Sequence, residues 1–293
     1  YVFNSLLSSY FISLETAMIR KTALESLKDM FDKRFEVIVV DDGSNDGSLE
    51  LLDALVTRYP ILRVIPLQRD NRRKLGETRN ISVRAARGKY VLLHIDTDDI
   101  WEPYIVTFTK IFHELEKRLL IDEFMLSGLQ IQMATKKLIL DNPYPNVYYV
   151  EDRLMWNNLA LLGKLFCLEH NVIRRRIPIK GKNNKLKKAL KSQFSSMSAA
   201  YSYSPSIIKT TNDYLKMIKK NFKDSFSFSI ISMILLLPSL LKGRFFSRAS
   251  LNNQFNGNVR ERNMINLLEI EKKFNDKYGL FDLEEIERNI FLR

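Results

Sequence analysis

From Val2 to about Ile100, short apolar runs alternate with stretches whose apolar residues recur every three to four positions. The runs read as strands at Val2 to Leu7, Phe35 to Val40, Leu62 to Leu67 and Tyr90 to Ile95. The periodic stretches between them read as helices at Leu14 to Phe31, Ser48 to Tyr59 and Glu77 to Arg87. Strands that are apolar at successive positions are buried on both faces, as in a parallel sheet covered by helices. The alternation predicts an α/β fold with a Rossmann-like, mostly parallel sheet. Pro103 suits the first turn of a further helix running to about Arg118.

The pattern then changes. "EFMLSGLQIQMAT" and "KKLILD" read as a hairpin of strands, and "EDRLMWNNLALLG" as a helix ended by Gly163. From Arg174 onward strands give way to helices. "RRRIPIKGKNNKLKKALK" reads as a basic loop running into a helix, and "SFSFSIISMILLLPSLL" is strongly apolar with Pro238 inside it. The final stretch reads as two amphipathic helices around "DKYG". This divides the chain into an α/β unit over residues 1–176 and a basic, helical C-terminal region over 177–293.

Charge sharpens that division. The net charge of +12 is confined to one segment: His170 to Lys223 holds 14 Lys or Arg and one acid, Asp213, so the remainder is close to neutral. A uniformly basic domain would point to nucleic acid. A neutral front half with a basic block behind it points to a module with an anion-facing attachment, and no nucleic acid partner is expected. The single cysteine, Cys167, has no partner for a disulfide and reads as a small core residue. The chain opens on "YVFNSLL", where no signal peptide is expected.

Chemistry concentrates where strands end. "YVLLHIDTDDIW" runs from a buried strand into three carboxylates within four positions, Asp96, Asp98 and Asp99, which repel one another unless something positive sits among them. "FEVIVVDDGSNDGS" likewise runs into Asp41 and Asp42. In an open parallel sheet, ligands bind beyond the carboxyl ends of the strands. Asp, Ser, Asn and Gly also make ordinary turns and helix caps, so the pairing of two acidic strand ends in one sheet carries the reading. Asp96 and Asp98, two apart at a strand end, offer hard oxygen ligands for Mg²⁺ or Mn²⁺. Such an ion neutralises both the carboxylates and a departing diphosphate.

"VIVVDDGSNDGS", "GETRNISVRAARGKYVLLHIDTDDIWEP" and "YVEDRLMWNNLALLGK" occur in the order and approximate spacing of the family 2 glycosyltransferases, and roughly residues 1–176 resemble that family. The resemblance implies a GT-A fold and a metal-dependent enzyme that moves a sugar, with inversion, from a UDP- or GDP-linked donor to a glycan or lipid-linked acceptor. It implies that Asp96, Thr97 and Asp98 form the aspartate-x-aspartate motif, with Asp96 also touching the donor. Asp99 is left between binding the donor sugar and capping the helix near Trp101. By the same resemblance Asp41 and Asp42 bind the donor, with Asp42 able to accept from the base N–H, Arg79 faces the nucleotide, and Asn80 fixes its loop. The catalytic base is Asp152, with Glu151 the second candidate, although acids at helix starts are also favoured by the dipole alone. Ser9 and Tyr10 fit the donor loop, with Tyr10 stacking on the base; Phe11 stands where the family has asparagine. His170 falls where some relatives have a metal- or phosphate-facing residue, while His94 reads as structural. Arg174 to Arg176 are candidates to hold diphosphate through bidentate pairing, with a solvated basic loop as the alternative. Leu119 to Val150 shows no acceptor motif.

Phe226 to Leu241 is short for a spanning helix, which needs about 20 apolar residues, and reads as a helix lying in the membrane interface, with a buried helix of a C-terminal bundle whose lysines are solvated as the alternative. With the basic segment before it, this predicts an enzyme peripheral to the inner face of the cell membrane, on the cytoplasmic side and attracted to anionic lipid. Two rivals remain at this point: an RNA-binding or membrane-scaffolding protein with a degenerate catalytic domain, and a sugar nucleotidyltransferase. Against the second, no Gly-rich loop bearing Arg and Lys follows the first strand.

Overall fold

The computed structural model describes residues 2–7, 14–27, 34–96, 99–147, 150–177, 185–204, 206–223, 225–246 and 259–292; the side chains of residues 2–20, 96, 185–188 and 245–246 lie outside the description. The alternation of the first hundred residues becomes β1 (Val2–Leu7), α1 (Leu14–Leu27), β2 (Glu36–Asp41), α2 (Ser48–Arg58), β3 (Leu62–Pro66), α3 (Leu75–Ala85) and β4 (Tyr90–Asp96). After it come β5 (Asp99–Trp101), α4 (Tyr104–Leu119), β6 (Met125–Ser127), β7 (Gln132–Thr135), α5 (Lys136–Asp141), α6 (Glu151–Leu161), β8 (Leu165–Leu168) and β9 (Arg174–Arg176). The remainder is α7 (Lys185–Tyr203), α8 (Ile207–Asn221), α9 (Phe226–Leu241), a π-helical turn Lys242–Phe246, α10 (Val259–Arg262), β10 (Met264–Ile265), α11 (Leu267–Tyr278) and α12 (Glu285–Phe291).

Eight strands form one sheet in the order β10-β8-β6-β7-β4-β1-β2-β3. Every pairing is parallel except those made by β7, which runs against both β4 and β6. Helices cover both faces. On one, Leu24, Leu52, Phe108, Phe112 and Phe124 pack with Leu92 and Ile95; on the other, Val83, Leu138, Met155 and Leu159 pack with Val91 and Leu93. Ile38, Val39 and Val40 are fully buried at consecutive positions, which explains the unbroken apolar run of β2.

The expected hairpin lies within "EFMLSGLQIQMAT" as β6 and β7, but "KKLILD" is not one of its strands. It is α5, whose first turn is capped by the Thr135 side chain accepting from the Leu138 N–H. A six-residue apolar run is ambiguous by periodicity, and the threonine cap decides it. Residues 259–292, grouped by pattern with the C-terminal region, return to the α/β unit. β10 pairs with β8, and Phe281 and Phe291 join the core. Arg118, 1% exposed, fastens this return: its guanidinium donates to the Gly279 carbonyl at 2.9 Å, pairs with Glu114 at 3.0 Å and lies over the Phe281 ring. Between these parts, α7, α8, α9 and the π-helical turn form a helical unit. It meets the α/β unit where Val150, just before α6, and Leu154 of α6 pack with Ala200, Tyr203 and Tyr214. Cys167 is a buried core residue of β8, its thiol pushed up to about 11 by burial.

Candidate active site at the strand ends

The parallel registers put the two acidic loops side by side. Leu7 at the end of β1 pairs with Asp41 of β2, and Leu6 pairs with Asp96 of β4. With β1 between them, Asp41 and Asp96 lie at the same, C-terminal edge of the sheet, two strand spacings or about 10 Å apart. Clefts also open elsewhere: one, lined by Phe35, Thr109, His113, Glu114 and Asp282, reaches the opposite end of β2 and has none of these acids.

Asp41 is wholly buried, and its carboxylate accepts from the Ser44 backbone N–H at 2.9 Å and from the Ser44 hydroxyl. It was expected to bind donor; instead it holds its own loop. Gly43, at φ +76°, turns that loop where a Cβ would come within 2.9 Å of Arg69, so only glycine fits. Asp42 is half-buried, and its Oδ1 is gripped by Arg73, whose Nε donates at 2.8 Å and whose second nitrogen also reaches the Gln68 carbonyl. Among the described residues Asp42 Oδ2 takes no hydrogen bond. Arg73 was not singled out from sequence, because one arginine in "RDNRRK" gives no signal of which carboxylate it meets.

The arginine of "GETRN" is also differently employed. Arg79 was expected to face the nucleotide, yet it is 8% exposed and turned inward. Its Nη1 lies 3.2 Å from Glu151 Oε1 and 3.1 Å from His94 Nδ1, with the guanidinium over the Tyr144 ring. Gly76 permits this approach, since a Cβ there would collide with the Pro145 carbonyl oxygen, and its own N–H donates to Val147 at 3.1 Å. Asn80 does fix the loop, donating to the Tyr144 carbonyl at 2.8 Å and accepting from its N–H at 2.9 Å. His94 is half-buried, with its ring against Arg79. Desolvation and the neighbouring Arg79 charge hold its pKa well below 6.5, so it is neutral and a ring nitrogen accepts from arginine.

His94 also has a backbone role that the sequence did not reveal. It sits at φ +64°, and the β1–β4 register skips between Phe3 and Ser5, so β4 carries a one-residue bulge just before Asp96. The bulge resets the alternation, putting Ile95 on the same face as Leu92.

The two base candidates are separated by burial. Glu151 is 4% exposed and paired with Arg79, so it is a poor proton acceptor for an incoming hydroxyl. Asp152 is half-buried at the same helix start, with Oδ1 accepting from the Arg153 N–H at 2.7 Å. Val150 immediately before them is at φ +62°, a strained conformation for a β-branched residue, held by packing against α7 and α8.

Asp99 neither caps a helix nor opens to a sugar. The helix begins at Tyr104, and Asp99 lies in β5, which pairs with β9. Its Oδ1 is held by Arg174 and by Arg176 Nε at 3.2 Å. Part of the positive charge demanded by "IDTDD" therefore comes from two arginines expected to hold diphosphate or solvent; Arg175, opposite Ile100, is exposed. Asp99 Oδ2 is buried without a hydrogen bond among the described residues. His170 is spent as well: Nε2 accepts from the Leu129 N–H at 2.7 Å, and Nδ1 meets the Asn171 carbonyl at 2.6 Å. Burial lowers its pKa to about 4, so it is a neutral core histidine rather than a phosphate ligand.

Ser9, Tyr10, Thr97 and Asp98 lie outside the described residues, as does the Asp96 side chain. Among the described residues no three His, Cys, Asp or Glu side chains are grouped to hold a metal.

Residues 17–129 match the family model described as Glycosyl transferase family 2. A cholesterol galactosyltransferase of Borreliella burgdorferi is 29% identical over 148 residues, 48% of this chain and 37% of that protein. The chain thus matches well under half the length of this curated relative. Among solved structures, S. aureus TarS 1-349 in complex with UDP-GlcNAc superposes with a TM-score of 0.50 at 16% identity, over 88% of this chain and 97% of that one. The mannosyltransferase PcManGT of Pyrobaculum calidifontis, in complex with GDP-Man and Mn²⁺, gives 0.51 at 13% identity, over 94% and 81%. At such identities the likeness shows the fold, which is GT-A-like. With acids at the edge where that fold is open and the sequence match running from α1 through β6, the α/β unit of this chain is similar to glycosyl transferase family 2.

Proposed function

We propose that this chain transfers a sugar, with inversion, from a UDP- or GDP-linked donor to a glycan or lipid-linked acceptor, and that it uses Mg²⁺ or Mn²⁺. The observation that carries the proposal is the shared edge: Asp41–Asp42 and Asp96 end strands on either side of β1, at one end of the sheet. The nucleotide-sugar complexes of TarS and PcManGT support the donor class, and the Mn²⁺ of the latter supports the metal.

Arg73 fixes Asp42 by one oxygen, which leaves Oδ2 to accept from the N–H of a uracil or guanine edge. Asp41 and Gly43 hold the loop that presents it. Asp152 takes the proton of the acceptor hydroxyl while that oxygen bonds to the anomeric carbon and the carbon–oxygen bond to diphosphate breaks. Attack from the face opposite the nucleotide inverts the centre. Glu151 and Arg79 position the helix start that carries Asp152. Asp96 and Asp98 would hold the ion. Their hard oxygens suit Mg²⁺ or Mn²⁺, and Asp99, next in sequence, keeps Oδ2 buried without a hydrogen bond among the described residues, an acceptor that suits a cation. When bound, the ion supplies Lewis-acid stabilisation of the leaving diphosphate.

Thermal-shift measurements with UDP- and GDP-sugars, with and without Mn²⁺, test the reading. One donor should stabilise the protein in a metal-dependent way, and Asp98→Asn should abolish that shift. Asp152→Asn should keep donor binding while lowering turnover by about 10²- to 10⁴-fold. Absence of stabilisation by every donor would overturn the assignment.

A further inference from the structure

α9 is inside out. Its wholly buried residues are Ser229, Ser232 and Ser239, while Phe226, Ile230, Met233, Ile234, Leu237 and Leu241 are 57, 37, 63, 67, 64 and 42% exposed. At 100° per residue these six fall within one arc of roughly a third of a turn, so they form a single unpartnered stripe. The buried serines knit the helix to its neighbours: Gln193 of α7 donates to Ser232 Oγ at 3.0 Å, and Ser229 donates to the Ile218 carbonyl of α8 at 3.3 Å.

α8 continues the pattern. Ile207, Ile208, Leu215 and Phe222 are 41, 76, 47 and 46% exposed and share one side of the helix. Phe222 meets Phe226 edge-on at 5.1 Å, which joins this stripe to that of α9. Beside it on α8 runs a second exposed row, Lys209, Lys216, Lys219, Lys220 and Lys223, and Asp213 is the only acid in the helix. An apolar face bordered by a row of lysines is complementary to a monolayer with anionic headgroups.

We propose that the joined face of α8 and α9 docks on an anionic lipid bilayer, with α9 lying along the interface and the lysines of α8 in the headgroup layer. By length and composition Phe226–Arg244 could cross a membrane. The packing opposes that orientation, because α9 lies against α7 and α8, and the lysine row of α8 would have to enter the hydrocarbon with it. The same helical unit packs on α6 through Val150 and Leu154, next to Asp152, so docking would hold the strand-end site near the membrane surface and the inner leaflet would be the source of a lipid-linked acceptor. The docking stands independently of the transferase assignment.

Flotation of the purified full chain with vesicles tests it. The chain should float with phosphatidylcholine vesicles containing phosphatidylglycerol, bind pure phosphatidylcholine more weakly, and lose the difference in high salt. Ile234→Glu with Leu237→Glu should weaken binding to both by about tenfold or more, with an unchanged melting midpoint because both side chains point outward. Lys216→Gln with Lys220→Gln should cost about thirtyfold on the anionic vesicles only. No flotation by the wild-type chain, or equal flotation by all variants, would overturn the proposal. So would light scattering that shows a dimer turned monomeric by Ile234→Glu with Leu237→Glu, or retention of RNA by the lysine row in place of vesicles.

Discussion

In the sheet, Ile38, Val39 and Val40 are shut away from water at consecutive positions; in α9, three serines are shut away while Met233, Ile234 and Leu237 are about two-thirds exposed. The first arrangement derives its stability from removing apolar surface from water, at about 25 cal/mol per Å². The second cannot. Its inward face offers small side chains, close helix contact and hydrogen bonds, and its apolar face is left open among the described residues. The lesson is that apolar content alone does not report burial. "VIVV" and "ILLL" are equally hydrophobic, and only the neighbours of each decide which way it faces.

Core truncation should separate the two regions most widely. Phe108, fully buried between α4 and the sheet, should cost about 3–5 kcal/mol as Phe108→Ala in urea unfolding. Leu237→Ala, on the open face of α9, should stay within about 0.5 kcal/mol. Equal costs would break the contrast.

Buried charge is the α/β unit's other risk. Arg79→Met removes the cation 3.2 Å from Glu151, a carboxylate 4% exposed, and should cost about 3–5 kcal/mol. Adding Glu151→Gln should recover most of that loss in a double-mutant cycle. If the single and double variants are equally unstable, the pair is not what holds α3 to α6.

Acid should act on the same unit next. His170 stays neutral down to about 4 when folded, whereas in the unfolded chain it takes up a proton near ~6.5. Below that point the unfolded state binds the extra proton, so stability present at neutral pH is lost on acidification, by about 3 kcal/mol at about pH 4. His94, lowered in the same direction, adds to the fall. Urea midpoints measured across this range should drop less steeply in His170→Gln than in the wild type.

The smallest effects probe the helical unit. Ser232→Leu overfills a buried contact and removes the Gln193 hydrogen bond, for about 1–3 kcal/mol. Ser227→Leu, on the exposed side of the same helix, should change stability by less than about 0.5 kcal/mol. A reversed order would mean that α9 faces the other way.

The amino-acid pattern by itself determined the four leading strands, the helices between them and the resemblance to the family 2 glycosyltransferases, because periods of two and of 3.6 and acid-rich strand ends are local properties of the chain. It also pointed to Asp42 and Asp152, whose side chains are half-buried at their loop and helix start. Tertiary structure decided the partners: that Arg73 holds Asp42, that Arg79 is taken by Glu151, and that Asp99 is matched by Arg174 and Arg176 across a β5–β9 pairing 75 residues apart. It likewise decided that "KKLILD" is a helix and that β10 returns to the sheet. Each of these depends on which distant groups meet once the chain is compact. Whether an ion pair forms, or which face of a uniformly apolar helix turns outward, is set by that meeting and by no local pattern.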